Sequence, residues 1–303
     1  MNLSRHQGIV LALGAAMVSG LSIYVNKFGV AQLSDPFVYT TVKNSVVVVG
    51  LLAAVGCLAS WKDLRALTPT QWLAWIGLGV IGGGVPFLLF FQGLATASAA
   101  SASLLQKTLF IWVALLAVPL LRERLGLWQV LGLAVLALGQ FLLQPLTGWG
   151  GWGTGETLIL IATWLWAVET ILAKNVLGWM SPHSAALGRM AIGALVMWVF
   201  LISTGRAGTV FTLSGTQWLW IAITAVLLIA YVWLWYSALK LAKASVVTSV
   251  LTSGAIVTIV CSAVLDRHAA TPPQLVAMLL LILGAVLFAF VRKSRWRRAP
   301  EVA

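Results

Sequence analysis

The fold class that this sequence predicts is an all-α integral membrane protein. Ten transmembrane helices form two inverted five-helix repeats, with both termini cytoplasmic. Three observations carry the prediction. The chain of 303 residues is 61% hydrophobic and 9% charged, with a mean hydropathy of +1.00, more apolar surface than a soluble core can hide. Its apolar runs are about 20 residues long and do not alternate, which is the pattern of helices that cross hydrocarbon. The chain also repeats itself: adding 145 to the numbering carries Phe91–Leu143 onto Tyr236–Phe288 without a gap. Leu on Leu is weak evidence in so apolar a chain. The pairs Gln129/Gln274 and Gly139/Gly284, held in that one frame, are better.

The elements follow in order. The first span, 8–28, stays apolar to Phe28, too long for the h-region of a signal peptide, so it reads as a membrane helix rather than a cleaved leader. Span two, 37–59, opens after Pro36. Span three, 71–94, carries Gly77, Gly79, Gly82, Gly83, Gly84 and Pro86. Span four, 98–119, bears a polar stripe of Ser103, Gln106 and Lys107 at helical spacing. Span five, 126–143, has Gln140 as its polar residue beyond Gln129 near its start. The link Gln144–Gly155, with five glycines and two tryptophans, is the natural joint between halves. The second half repeats the plan at 156–177, 183–203, 217–239, 244–264 and 272–291. The repeats therefore occupy 1–147 and 148–303, the second ending in a basic tail. Five helices per half is odd, so the second half enters the bilayer from the opposite side and the repeats are inverted.

Charge sets the orientation. Of the 19 Lys and Arg, one side collects 13: Arg5, Lys62, Arg65, Arg122, Arg124, Lys174, Lys240, Lys243, Arg292, Lys293, Arg295, Arg297 and Arg298. The other side collects Lys27, Arg206 and Arg267. The first side is cytoplasmic by the positive-inside rule. The net charge of +12 thus belongs to the membrane rather than to nucleic acid. Cys57 and Cys261 lie in apolar runs and suggest neither a disulfide framework nor a metal site; no cofactor is expected.

These features resemble the drug/metabolite transporter superfamily in its EamA-type ten-helix branch. The segment Pro119-Leu-Leu-Arg-Glu123-Arg-Leu-Gly-Leu-Trp-Gln129-Val-Leu-Gly132 is similar to the family's "P…GE+…Q..G" pattern. In the second half, Val264-Leu-Asp266-Arg-His-Ala-Ala-Thr-Pro-Pro-Gln274 lacks the Gly-Glu. Tyr236–Ser245 resembles the turn after the family's eighth span. The richness in tryptophan looks like the branch that exports aromatic amino acids, the YddG type. The resemblance implies a multi-pass plasma-membrane exporter, in bacteria the inner membrane, working on a small-molecule substrate as a monomer or weak dimer.

Charges inside hydrocarbon each cost about 2.5–3.5 kcal/mol on insertion scales and need a reason. Four stand inside spans: Lys43, Lys107, Glu169 and Arg189. Lys43 and Arg189 are repeat mates at an offset of 146, as are Pro36 and Pro182; Lys27 and Lys174 match at 147. The two bases read either as carboxylate or gate residues, or as pins that satisfy nearby carbonyls. Lys43 would belong to the outer gate and Arg189 to the inner one. Lys107 reads as a cavity residue. Its stripe is answered by Ser245, Thr248, Ser249 and Thr252 on span nine, where Ser103 matches Thr248 and Lys107 matches Thr252; the small hydroxyls read first as interhelical glue. Glu169 reads as a salt-bridge partner of Arg189 or Lys174, or else as a proton carrier. Pro86 frees the carbonyl of Gly82, which could accept from a substrate ammonium, although close packing through Gly79-x-x-x-Gly83 is the simpler role. The deep aromatics Tyr24, Phe91, Trp164, Tyr231 and Trp235 are candidates to line a path for flat apolar side chains.

The expected function is a secondary transporter exporting small amphipathic metabolites, chiefly neutral or aromatic amino acids. Multidrug or other metabolite efflux is the alternative, and an intramembrane enzyme the least favoured. His6, His183 and His268 sit at span ends, and neither H-E-x-x-H nor a P-loop is present. An interior of three bases and one acid suits a substrate bearing a carboxylate.

Overall fold

The computed structural model describes residues 3–33, 35–57, 67–143, 151–267 and 269–290. Lys62, Arg65, His268, residues 144–150 of the joint and the basic tail lie outside the described residues. Within them the chain is helical, with no strand. The helices are α1 (Leu3–Ala31), α2 (Pro36–Cys57), α3 (Pro69–Leu94), α4 (Ser101–Leu120), α5 (Leu127–Leu142), α6 (Thr154–Val176), α7 (Pro182–Ser203), α8 (Gly215–Leu241), α9 (Ala244–Leu265) and α10 (Pro272–Phe290). Eight of them are long and apolar enough to cross a membrane; α5 and α10 are shorter apolar helices. The 16 residues of α5 rise about 24 Å.

Local sequence sets the helix starts. Thr68 and Gln71 form a capping box at α3, as Ser214 and Gln217 do at α8. The matched glutamines of the repeat have the same task. Gln129 Oε1 accepts the Gly126 N–H at 3.0 Å at the start of α5, and Gln274 Oε1 accepts the Thr271 N–H at 2.9 Å at the start of α10. Ser181 caps α7, whose first residue is Pro182, and Pro36 opens α2 in the same way.

Irregular backbone recurs at matched positions too. Arg122 and Arg267, offset by 145, both adopt positive φ, 52° and 57°. That conformation is uncommon outside glycine. Helices α4 and α9 both break midway, at Thr108 and at Thr252–Ser253. At each break the amide bonds three residues back, Thr108 to Leu105 and Ser253 to Val250. The hydroxyl of the same residue donates to the same carbonyl, at 2.6 Å and 2.7 Å. Helix α3 contains a π-helical stretch, Gly79–Gly84, where Val85 N–H reaches back to Val80 O ahead of Pro86. A π-turn lets the proline sit in the helix without a clash.

The packing closes a ring in the order α1, α8, α2, α7, α3, α6, α4, α9 and back to α1, with α5 and α10 packed on each other outside it. Contacts exchange when repeat mates are swapped. Gly8 of α1 sits against Ala242, and Gly155 of α6 sits against Ala97. Gly132 abuts Gly284, and Gly139 abuts Ala277. The core beside the α4–α9 crossing holds Phe110 with Ala255, Leu136 with Leu281 and Ile111 with Ile256, each pair being mates.

Glycines permit these approaches. A Cβ on Gly20 would overlap the Gly254 carbonyl and the Val257 side chain, whereas one on Gly215 would meet nothing within 4 Å. Gly20→Ala is therefore expected to destabilise by about 1–3 kcal/mol, and Gly215→Ala to be silent. Thermal unfolding of the two variants in detergent checks this.

Candidate functional site

Polar groups inside the ring gather in two clusters, and the first surrounds the π-turn of α3. Glu169 of α6 is buried, at 2% exposure. Its Oε1 accepts the Tyr236 hydroxyl at 2.9 Å and lies 3.2 Å from Arg189 Nε. Arg189 Nη2 donates to the Gly82 carbonyl at 3.1 Å, and Trp166 Nε1 donates to that carbonyl at 3.1 Å. Four helices, α3, α6, α7 and α8, thus meet at one carboxylate and one carbonyl. Gly82 has to be glycine, because any Cβ there would overlap the Glu169 side chain. Gly83 and Gly193 let the backbones of α3 and α7 touch.

The carbonyl expected to be free for a ligand is therefore engaged by two protein donors. Glu169 forms the salt bridge to Arg189; Lys174 instead caps the C-terminal carbonyls of α8, Leu239 at 2.6 Å and Ala242 at 2.7 Å. An aromatic run continues from the cluster. Phe87 and Phe90 pack on Trp166, Phe87 stacks on Phe91, and Phe91 meets Phe37 of α2.

The second cluster joins α1, α2 and α8. Lys43 Nζ donates to Asn26 Oδ1 at 3.2 Å and lies 4.9 Å over the Tyr39 ring. The Tyr39 hydroxyl bonds Asn26 Oδ1 at 2.9 Å and Thr224 Oγ1 at 2.7 Å. Asn26 Nδ2 donates in turn to Ser22 Oγ at 2.9 Å. Lys107 stands at the break of α4, partly buried, with no hydrogen bond or ion pair among the described residues.

The other candidates are spread wider. Tyr24 leaves the path: its hydroxyl donates to Asp266 Oδ1 at 2.6 Å, beside the Lys27–Asp266 ion pair of 2.6 Å. Trp164 is 45% exposed, away from both clusters. Tyr231 and Ser103 are partly buried on α8 and α4. Trp235 is buried edge-on to Tyr236. The expectation of hydroxyl glue needs correcting for Thr248 and Thr252, which bond Ala244 and Ser249 carbonyls of their own helix. Close helix carbonyls outcompete a partner on another helix. Ser245 does reach across, donating to Glu123.

Asn26, Tyr39, Trp166 and Tyr236 were absent from the expected set. The signal for Tyr236 is a phenol deep in a span; Asn26 carries none, since its partner is 17 residues away in sequence.

The two ends of the ring differ. At the end bearing Lys174, Glu123 accepts Ala244 N–H at 2.8 Å and the Ser245 hydroxyl, fastening α4 to α9. There α6 also packs on α8 and on α9. At the other end, among the described residues, the matched contacts of α1 with α3 and of the first half of α4 with the second half of α9 are not made to comparable extent. Asp266 instead faces α1, its acidity raised to a pKa of about 2 by the hydrogen bonds from Lys27, Tyr24 and Ser262. A depressed carboxyl pKa gives an interaction present above the unfolded value and lost as pH falls through 2. The Lys27–Asp266 link is thus expected to hold unchanged from about pH 4 upward; titrating Asp266 by NMR checks it.

Removing one partner of a buried ion pair costs about 3–5 kcal/mol. Glu169→Gln, which leaves Arg189 uncompensated, is expected to lose that much in thermal unfolding.

Relatives agree with this architecture. The model of the EamA-like transporter family matches residues 6–144 and again 153–290. An uncharacterized transporter from the cobO 3' region of a Sinorhizobium species is 30% identical over 132 residues, 44% of this chain and 92% of that protein. An uncharacterized transporter of Archaeoglobus fulgidus is 24% identical over 201 residues, 66% of this chain and 68% of that one. A solved crystal structure superposes with a TM-score of 0.70 at 19% identity, covering 94% of each chain, a likeness of fold. With both halves matched by one family model, the chain belongs to the EamA-like transporter family.

Proposed function

We propose that this transporter exports neutral amino acids with apolar or aromatic side chains across the plasma membrane by alternating access. In this reading all ten helices cross the bilayer as two inverted repeats, 1–147 and 148–303, with both termini cytoplasmic. The reciprocal packing of Gly8 on Ala242 and Gly155 on Ala97 supports the repeats. The excess of Lys and Arg at one end supports the orientation.

One observation carries the substrate class. The acid inside the ring, Glu169, is held by Arg189 and Tyr236, while Lys43 and Lys107 meet no carboxylate among the described residues. Such an interior attracts a carboxylate and repels a cation, which sets efflux of cationic drugs second. The aromatic run of Phe87, Phe90, Phe91 and Trp166 suits a flat apolar side chain. An acid already tied to a base is a poor proton carrier, so the transporter works as a facilitator.

Arg189 then holds the inner gate, and Arg189→Ala is expected to bias the protein inward-open, read as increased labelling of introduced inner-side cysteines. Proteoliposomes carrying the protein are expected to exchange L-phenylalanine and L-leucine, with no dependence on a pH gradient, and not to move cationic dyes. Movement of dyes without any amino acid sinks the proposal.

A further inference from the structure

Repeat mates place Lys43 opposite Arg189 at an offset of 146 and Ser22 opposite Glu169 at an offset of 147. The second frame is the one in which Gly8 matches Gly155, and those glycines make matched contacts with Ala242 and Ala97. The ion pair of one half therefore has a counterpart in the other, with its acid replaced. The counterpart is physically connected: Lys43 Nζ reaches Asn26 Oδ1 at 3.2 Å, and Asn26 Nδ2 reaches Ser22 Oγ at 2.9 Å. A neutral serine and asparagine stand where Glu169 stands beside Arg189.

No other carboxylate is available to Lys43 among the described residues. Asp35 pairs with Arg206, Asp266 with Lys27, Glu123 binds the start of α9, Glu156 binds Ser101, and Glu169 binds Arg189. The complete ion pair lies in the second half, between α6 and α7, and the closed end is the one where Glu123 of the first half binds Ser245 of the second and α6 packs on α8. At the other end, among the described residues, the matched contacts are not made to comparable extent, and the first half carries the incomplete pair.

We infer that the substrate's carboxylate binds Lys43, taking in the first half the place that Glu169 takes in the second, and that the ligand thereby completes the charge pair needed to close the open end. The inference rests on the amino acid reading above, and it makes Lys43 the specificity-determining residue. A charge whose partner arrives only with the ligand gives the closed state a contact that the empty protein lacks, which is how a ligand shifts a conformational balance. It also makes futile closure without cargo unfavourable.

The test uses the full-length protein in proteoliposomes, with L-phenylalanine, L-phenylalanine amide and 3-phenylpropionate as probes. Wild type is expected to prefer the two carboxylates over the amide by at least tenfold (about 1.4 kcal/mol). Lys43→Gln is expected to erase that preference, and Lys43→Arg to keep it. Ser22→Glu supplies the missing acid from the protein; it is expected to weaken the carboxylate probes about tenfold while sparing the amide. Lys43→Arg and Ser22→Glu also guard against a Lys43→Gln protein that fails to fold. If wild type moves 3-phenylpropionate but no amino acid, and Lys43→Gln loses it, the amino acid reading fails and this inference stands. A carboxylate preference that persists in folded Lys43→Gln overturns the inference, as does a wild type with no preference for a carboxylate.

Discussion

A backbone carbonyl released inside an apolar helix has to be paired again, because hydrocarbon offers no water to do it. At Gly82 that requirement shapes the interior. The π-turn before Pro86 releases the carbonyl, and Arg189 and Trp166 satisfy it. Bringing Arg189 there places a charge inside the ring, and Glu169 answers the charge. Tyr236 then completes the carboxylate from α8. One proline in α3 thus sets side chains on α6, α7 and α8. The glycines at 82, 83 and 193 follow, since a larger residue would push these helices apart.

The two halves share their geometry and differ in their chemistry. Both α4 and α9 break at the matched hydroxyl, Thr108 and Ser253, with the same i to i−3 bonds. Yet the break in α9 is stitched to α5 by Gln140 on the Thr252 carbonyl at 3.2 Å, while Ala285 stands at the matching position on α10 and Lys107 at the break in α4. A two-fold plan with unequal side chains gives two ends of similar shape and unequal stability. One end is fastened by protein groups, and in the proposed mechanism the other closes on its ligand.

Hydroxyl groups do less between helices than their number suggests. Thr41, Ser45, Thr163, Thr170, Thr248 and Thr252 all bond carbonyls of their own helix. Longer or charged groups make bonds between helices: Tyr39 to Thr224, Trp198 to Ser45, Lys174 to the end of α8, Glu123 to the start of α9; Thr258, which reaches the Gly20 carbonyl where α1 and α9 are close, is an exception. Length is the physical difference. A serine or threonine oxygen lies within reach of the preceding turn, and a lysine, glutamate or tryptophan can span the gap between axes.

By itself the sequence determined the helical membrane class, since so apolar a chain has no other way to satisfy its backbone. It also determined the repeat, through Gln129 and Gln274, whose spacing to the helix start fixes a local cap. That Glu169 pairs with Arg189 or Lys174 was legible because a buried acid needs a base and few were present; the packing chose Arg189 and sent Lys174 to the end of α8. What only the tertiary structure decided were contacts between residues far apart in sequence. Asn26 beneath Lys43, Tyr236 on Glu169 and Asp266 on Tyr24 depend on how the helices are rotated and which neighbour each one finds. Helical periodicity tells which residues share a face. It does not tell which helix that face will meet, and a long polar side chain commits only when the packing has chosen its partner.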